Sequence, residues 1–253
     1  MPRLIQNRPV AACALALALS LSISAGATAS VLPPKNLRVV GTGGKTLAEA
    51  TVSTATTRVK TSPKATCFGA GTGGSGKSVS IAGNTAMGLL ARGSKSIGAL
   101  RPLSISDHFG FGLALCGVGK SVARGSSSWY LKVNHKALSV SGDKAKIKPG
   151  DEVLWDLAPS YPYPNELALE APHDATAGVP FTVHVVSYDE KGKRKPVAGA
   201  TVTGAAAPTA ADGSTMVTLS ASGELSATHG KEIPSAGVEV CAVPVGGACP
   251  LIN

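Results

Sequence analysis

Beyond Glu166 the chain is a succession of short alternating segments and turns, with no helical period to compete with them. "ELALEAP", "PFTVHVVSYD", "PVAGATVTG", "STMVTLSA", "ELSATHG" and "GVEVCAV" follow one another, separated by Gly, Pro and Asp. Their spacing of about ten residues predicts a small β-sandwich over 166–243, followed by a tail over 244–253. Period-2 alternation buries apolar residues only if each segment finds a partner strand, so this half must be all β.

The stretch before Glu166 is mixed. "NLRVVG" and "AEATVSTATTRVKT" alternate around "GTGGKT", which reads as a hairpin. "GNTAMGLLARG" is the one good helical signal: Asn84 or Thr85 is placed to cap it, and Met87, Leu89, Leu90 and Ala91 share a face before Gly93 stops it. Strands resume in "SWYLKVNHKALSV" and "AKIKPGDEVLWDLA", the latter turning at Pro149-Gly150-Asp151. Pro159, Pro162 and Pro164 then fall close together, and proline resists both helix and central strand. Residues 159–165 therefore read as a stiff linker. The expected fold is mainly β: an α+β domain over 36–158 with one short helix, then an all-β sandwich.

The first residues speak of location. Arg3 and Arg8 precede a nearly unbroken apolar run from Val10 to Ile23, and Ala25-Gly26-Ala27 and Ala27-Thr28-Ala29 are small-x-small cleavage sites. Residues 1–29 read as a secretory signal peptide whose apolar core is short for a membrane span. The expected protein is secreted, extracellular or loosely associated with the cell surface. Losing the signal's two arginines takes the formal net charge from +9 to +7. Most of that charge is scattered, with one dense patch at Glu190–Lys195, "EKGKRK", which reads either as attraction to an anionic envelope polymer or as solvated surface. Aromatic residues make up only 4% and none lies in the patch, which argues against nucleic acid as a partner.

Cys67, Cys116, Cys241 and Cys249 form an even set in an exported chain and point to disulfides. Three connectivities are possible; Cys67–Cys116 with Cys241–Cys249 keeps each bridge inside one expected domain. A metal site is not expected, because there is no C-x-x-C and no histidine close to a cysteine.

Catalytic patterns are sparse. His108, His135, His173, His184 and His229 are dispersed, and neither H-E-x-x-H nor G-x-S-x-G occurs. Ser141–Lys144, "SGDK", fits S-x-x-K without its companion motifs. Asp151, Glu152 and Asp156 are close in sequence. Asp151 is a turn residue, whereas Glu152 and Asp156 share strand parity, which suits a cation, an acid–base pair or a solvent face. "GTGGSGKS", Gly71–Ser78, matches the phosphate-binding P-loop, but no buried strand precedes it and the short strand-like "VSIAG" follows where a P-loop opens a long helix. Nucleotide binding is not expected, and the segment reads as a flexible surface loop. No cofactor and no enzyme activity is expected.

"SSSWYLKVNHKALSV" followed by "KIKPGDEVLWDLAP" resembles the transcobalamin-like C-terminal domain of secreted bacterial proteins. Trp129, Tyr130, Val133, Asn134, Lys136, Lys148, Gly150, Asp151, Val153 and Trp155 carry the resemblance, which covers residues 36–158. "RVVGTGGKTLAEATVST" and Cys67 are similar to the opening of its actinobacterial members, and the second half looks like immunoglobulin-like or prealbumin-like surface modules. In the vitamin B12 carriers the corresponding α+β domain closes over cobalamin held by a separate helical barrel. No segment here reads as that barrel and no residue matches a cobalamin contact, so cobalamin binding does not carry over. The resemblance implies a non-catalytic, envelope-associated binding protein for an unknown small ligand or anionic envelope polymer. Trp129, Tyr130, Asn134, Lys136 and Trp155 are the candidate ligand face; the alternative is a purely structural or adhesive module. A concave aromatic pocket near Trp129 and Trp155 favours the first reading, and burial of both tryptophans in the core favours the second.

Overall fold

A computed structural model of the protein describes residues 36–249, and the expected signal peptide lies outside the described residues. The chain is mainly β, with one α-helix among the described residues. The first half holds β1 (Leu37–Val40), β2 (Thr46–Ala50), β3 (Thr57–Lys60), β4 (Ser78–Ile81) and α1 (Ala86–Ser96). It continues with β5 (Leu103–Phe109), β6 (Gly112–Val118), β7 (Ser121–Val122), β8 (Ser128–Val133), β9 (Lys136–Ala137) and β10 (Val153–Ala158). The second half begins with β11 (Glu166–Glu170), β12 (Asp174–Thr176), β13 (Phe181–Tyr188) and β14 (Arg194–Pro196). It ends with β15 (Thr201–Val202), β16 (Ser214–Val217), β17 (Gly223–Leu225), β18 (Ala227–Thr228) and β19 (Val238–Val243).

The organising element is a five-stranded sheet in the order β2-β1-β10-β8-β9, in which β1 and β10 run parallel. Strand parity divides its side chains into two faces. Leu37, Val39, Leu131, Val153 and Trp155 face α1 and share its core with Met87, Leu89 and Leu90. Thr85 caps α1 by accepting from the Gly88 N–H at 3.0 Å. The helix runs past Gly93 to Ser96, one turn further than the glycine suggests. Gly93 serves packing: a Cβ there would sit 2.8 Å from Leu37 Cδ2, so the glycine lets the helix lie close on β1.

The second half builds its own core from Leu167 and Leu169 of β11, Val183 and Val185 of β13, Val217, Leu225 and Val240. β11, β14 and β16 each pair with β13 around it, β12-β19-β17 form a second sheet, and β15-β18 a short third one. Disulfides join Cys67 to Cys116 and Cys241 to Cys249, one bridge in each half, the pairing the sequence favours.

Between the halves lies the other face of the large sheet, which carries Arg38, Val40, Tyr130, Lys132, Leu154 and Asp156, all buried. Alternating polar residues usually mark a solvent face, but here β11 and the segment around Ile233 cover them. Val40, Leu154 and Ile233 form the apolar part of this contact. Glu166, the first residue of β11 and 1% exposed, forms its polar centre. Its carboxylate takes Arg38 Nη2 in a direct ion pair, with Lys132 Nζ at 3.3 Å and His135 Nδ1 at 3.0 Å. Arg38 Nη1 donates to Pro234 O at 2.7 Å, and Lys132 Nζ to Tyr188 O at 3.0 Å. His135 stacks on Tyr188 with ring centroids 4.0 Å apart. Two further ties cross from half to half: Gly237 N–H donates to Glu49 Oε2 at 2.9 Å, and Ala137 N–H to Glu190 O at 2.9 Å.

The Pro-rich segment does not stand free. Tyr163 stacks on Tyr130 at 4.1 Å, and Ser126 Oγ donates to Pro159 O at 3.0 Å. The described residues of both halves accordingly fall in one compact unit.

Removing one member of a buried ion group strands the others in low dielectric. Glu166→Gln is expected to cost about 3–5 kcal/mol in denaturant unfolding. Replacing Arg38 and Lys132 by Met together with Glu166→Leu should recover most of that loss. A triple variant as unstable as the single one would contradict this.

Candidate functional site

The β8–β9 hairpin turns at Asn134 and His135, both with positive φ (49° and 66°), the left-handed conformation Asn tolerates well. The Asn134 side chain then clamps the following turn. Its Nδ2 donates to Asp151 Oδ1 at 2.8 Å and its Oδ1 accepts from the Glu152 N–H at 2.9 Å. Asp151 in turn accepts from the Lys148 N–H at 2.7 Å, closing the turn at Gly150, whose φ is 90°. The two turns of the motif thus support each other. The exposed Lys136 lays its stem beside Gly192 of the second half.

Trp129, Tyr130 and Trp155 come together elsewhere, along a cleft of about 200 Å³ that also takes in Phe68, Phe111 and Tyr163. Asn134 and Lys136 are not among the residues that line it. β9 pairs only with Lys132 and Val133, so the first part of β8 is an open edge. This is why Trp129 from one face and Tyr130 from the other both reach the cleft. Trp155 forms the floor: it is buried, its Nε1 donates to Ala86 O at 3.4 Å, and its ring lies against Gly142, where a Cβ would come within 2.5 Å of Cη2. Trp129 is half-buried, and its Nε1 is enclosed without a hydrogen-bond partner among the described residues.

Phe68 and Phe111 are 56% and 57% exposed, high for such large apolar rings, and Phe109 joins them through ring contacts of 5.1 and 5.0 Å. Both flank the cleft without belonging to the Trp-bearing motif. Phe68 is brought there by its neighbour Cys67, which is bonded to Cys116 in β6, and Phe111 sits in the turn between β5 and β6. The signals for them were the Cys67-Phe68 pair and the "HFGFG" run at 108–112, neither of which belongs to the motif.

The P-loop-like segment ends in strand β4, not in a helix. Ser75 donates from its N–H to Asp107 Oδ1 and from its hydroxyl to Asp107 Oδ2, each at 2.6 Å, so a carboxylate occupies an amide that a phosphate would require. Those bonds from Ser75 hold the Asp107 carboxyl below the usual carboxylate range. Gly74 N–H donates to Ser62 O and Ser106 Oγ to Thr72 O, so the segment is pinned along its length, contrary to the flexible loop its composition suggests.

The carboxylates that share parity have different environments. Glu152 sits at the rim of the polar contact, 3.4 Å from Arg38 Nε. Asp156 is 4% exposed, and burial pushes its carboxyl up to about 7 although Arg38 and Lys132 pull it down. For Glu166 burial acts upward too, but the nearby His135, Arg38 and Lys132 outweigh it and hold the carboxyl below its ordinary range. Burial lowers Lys132 and raises the Tyr130 phenol.

Comparison with family models, with curated proteins and with solved structures finds no match. No helix among the described residues is long and apolar enough to cross a membrane.

The opposite shifts of Asp156 and Glu166 predict a stability maximum in mildly acidic solution. Asp156 holds its proton in the folded state up to about pH 7 but loses it near 3.8 when unfolded, so stability declines as pH rises through that window. Glu166 supplies stability that is present above about 4.5 and lost as pH falls through its lower folded value. Asp156→Asn should flatten the decline toward neutral pH, a gain on the order of a few kcal/mol at pH 8. Unfolding midpoints measured across pH 3–8 check this; an unchanged slope in the variant would contradict it.

Proposed function

We propose that the protein is a secreted, non-catalytic, envelope-associated binding protein whose ligand seats in the aromatic cleft. The observation that carries this reading is the cleft wall. Two more-than-half-exposed phenylalanines line the same cleft as a half-buried tryptophan. Large rings left in water cost free energy that a ligand with an apolar face recovers. Among the described residues no charged side chain lines the cleft. The ligand class is therefore an uncharged ring with polar edges, such as a saccharide unit of an envelope polymer. The formal charge of +7 expected after signal removal would draw the protein toward an anionic polymer, and the cleft would grip its neutral units. Both disulfides are compatible with an extracellular setting.

In a Trp155→Phe background, fluorescence reports Trp129 alone. Titration with soluble wall fragments and neutral oligosaccharides is expected to give a saturable change. Phe68→Ala and Phe111→Ala, both at exposed rings, should weaken it at least tenfold with the circular dichroism spectrum unchanged. A flat titration with every probe would sink the reading.

A further inference from the structure

The far face of the five-stranded sheet holds a second opening, unrelated to the aromatic cleft. Near the carboxyl ends of the parallel strands β1 and β10 lies a cavity of about 360 Å³. That is within the size range of small-molecule sites. Its walls are largely apolar, from Val122, Leu157, Pro159, Pro164 and Ile233, and Asp156 lies among them.

Charge pairing around Asp156 is incomplete. Arg38 is engaged by Glu166 and Glu152, and Lys132 by Glu166 and the Tyr188 carbonyl. The His135 ring nitrogen also points to Glu166, 3.0 Å away. Among the described residues none donates a hydrogen bond to Asp156, which interacts with Arg38, Lys132 and Glu166 only through space. Of the other charged residues at the cavity, Glu232 is taken by His229 Nδ1 at 2.9 Å, and Lys231 is exposed. With no hydrogen-bond donor among the described residues, the Asp156 carboxyl at the edge of this apolar cavity keeps its proton up to about pH 7, and once ionised above that it has room for one cation.

We propose that this cavity binds a small organic cation of the alkylammonium class, with its charged head on Asp156 and its hydrocarbon body against Leu157, Pro159, Pro164 and Ile233. A bare metal ion fits poorly, because no group of three or more His, Cys, Asp or Glu residues among those described is arranged to hold one. An alkylammonium satisfies both parts of the site: its head completes the charge pairing, and its chain covers apolar wall.

The test uses the isotope-labelled mature protein and n-butylammonium, with n-butanol as the neutral isostere. Amide shifts are expected at Thr42–Gly44 and Lys231–Ile233, with n-butylammonium binding at least tenfold more tightly than n-butanol. Asp156→Asn, which keeps the side chain's shape, should abolish that preference. Val122→Trp, at a partly exposed position on the cavity wall, should weaken binding at least fivefold. Phe68→Ala should leave it unchanged, which separates this site from the aromatic cleft. Equal affinity for n-butanol, no shifts at those amides, or a preference that survives Asp156→Asn would overturn the proposal.

Discussion

Glu166 is the residue on which the two halves of this chain turn. It follows directly on the proline-rich segment, opens β11, and takes two cations and an imidazole from the first half. A carboxylate buried to this degree is tolerable only when surrounded by such partners, and the cations are tolerable only because of it. Arg38 and Lys132 point away from the core of their own half, and among the described residues neither makes an ion pair with a fully buried carboxylate other than Glu166 of β11. The interaction therefore acts less as a source of net stability than as a specifier of how the halves meet.

The large sheet places two unlike environments back to back. One face meets α1 in a dry core, and at the open edge of β8 that core surfaces as the aromatic cleft. The other face is polar, closed by the second half, and leaves a gap where Asp156 is short of a partner. A period-2 side-chain pattern is enough to generate both, because adjacent residues of β8 and β10 serve opposite faces. Trp155 and Asp156 are neighbours in sequence, yet one floors the aromatic cleft and the other borders the polar gap.

Features set by local chemistry were legible in the sequence. The left-handed turn at Asn134, the Pro149–Asp151 turn and the Thr85 cap need only neighbouring residues, and the cysteine pairing followed from keeping each bridge inside one half. What was hidden depends on distant contacts. Gly93 reads as a helix stop, but the close approach of Leu37 makes it a packing residue inside α1. Glu152 and Asp156 left a solvent face open as one reading, and the burial of Asp156 with Arg38 and Lys132 was hidden because their cover comes from residues 166–235. Trp129, Tyr130 and Trp155 were marked by their motif, whereas Phe68 and Phe111 reach the same cleft through a disulfide and a turn. The glycine-rich segment had the composition of a mobile loop, but Asp107, more than thirty residues from its start, fastens it.

If one buried ionic contact makes the two halves a single cooperative unit, they unfold together. Differential scanning calorimetry of the mature protein near pH 6 tests it most directly. The account predicts one transition whose van't Hoff and calorimetric enthalpies agree. Two resolved transitions, each with the enthalpy of one half, would show that the halves unfold independently and that the Glu166 contact does not couple them.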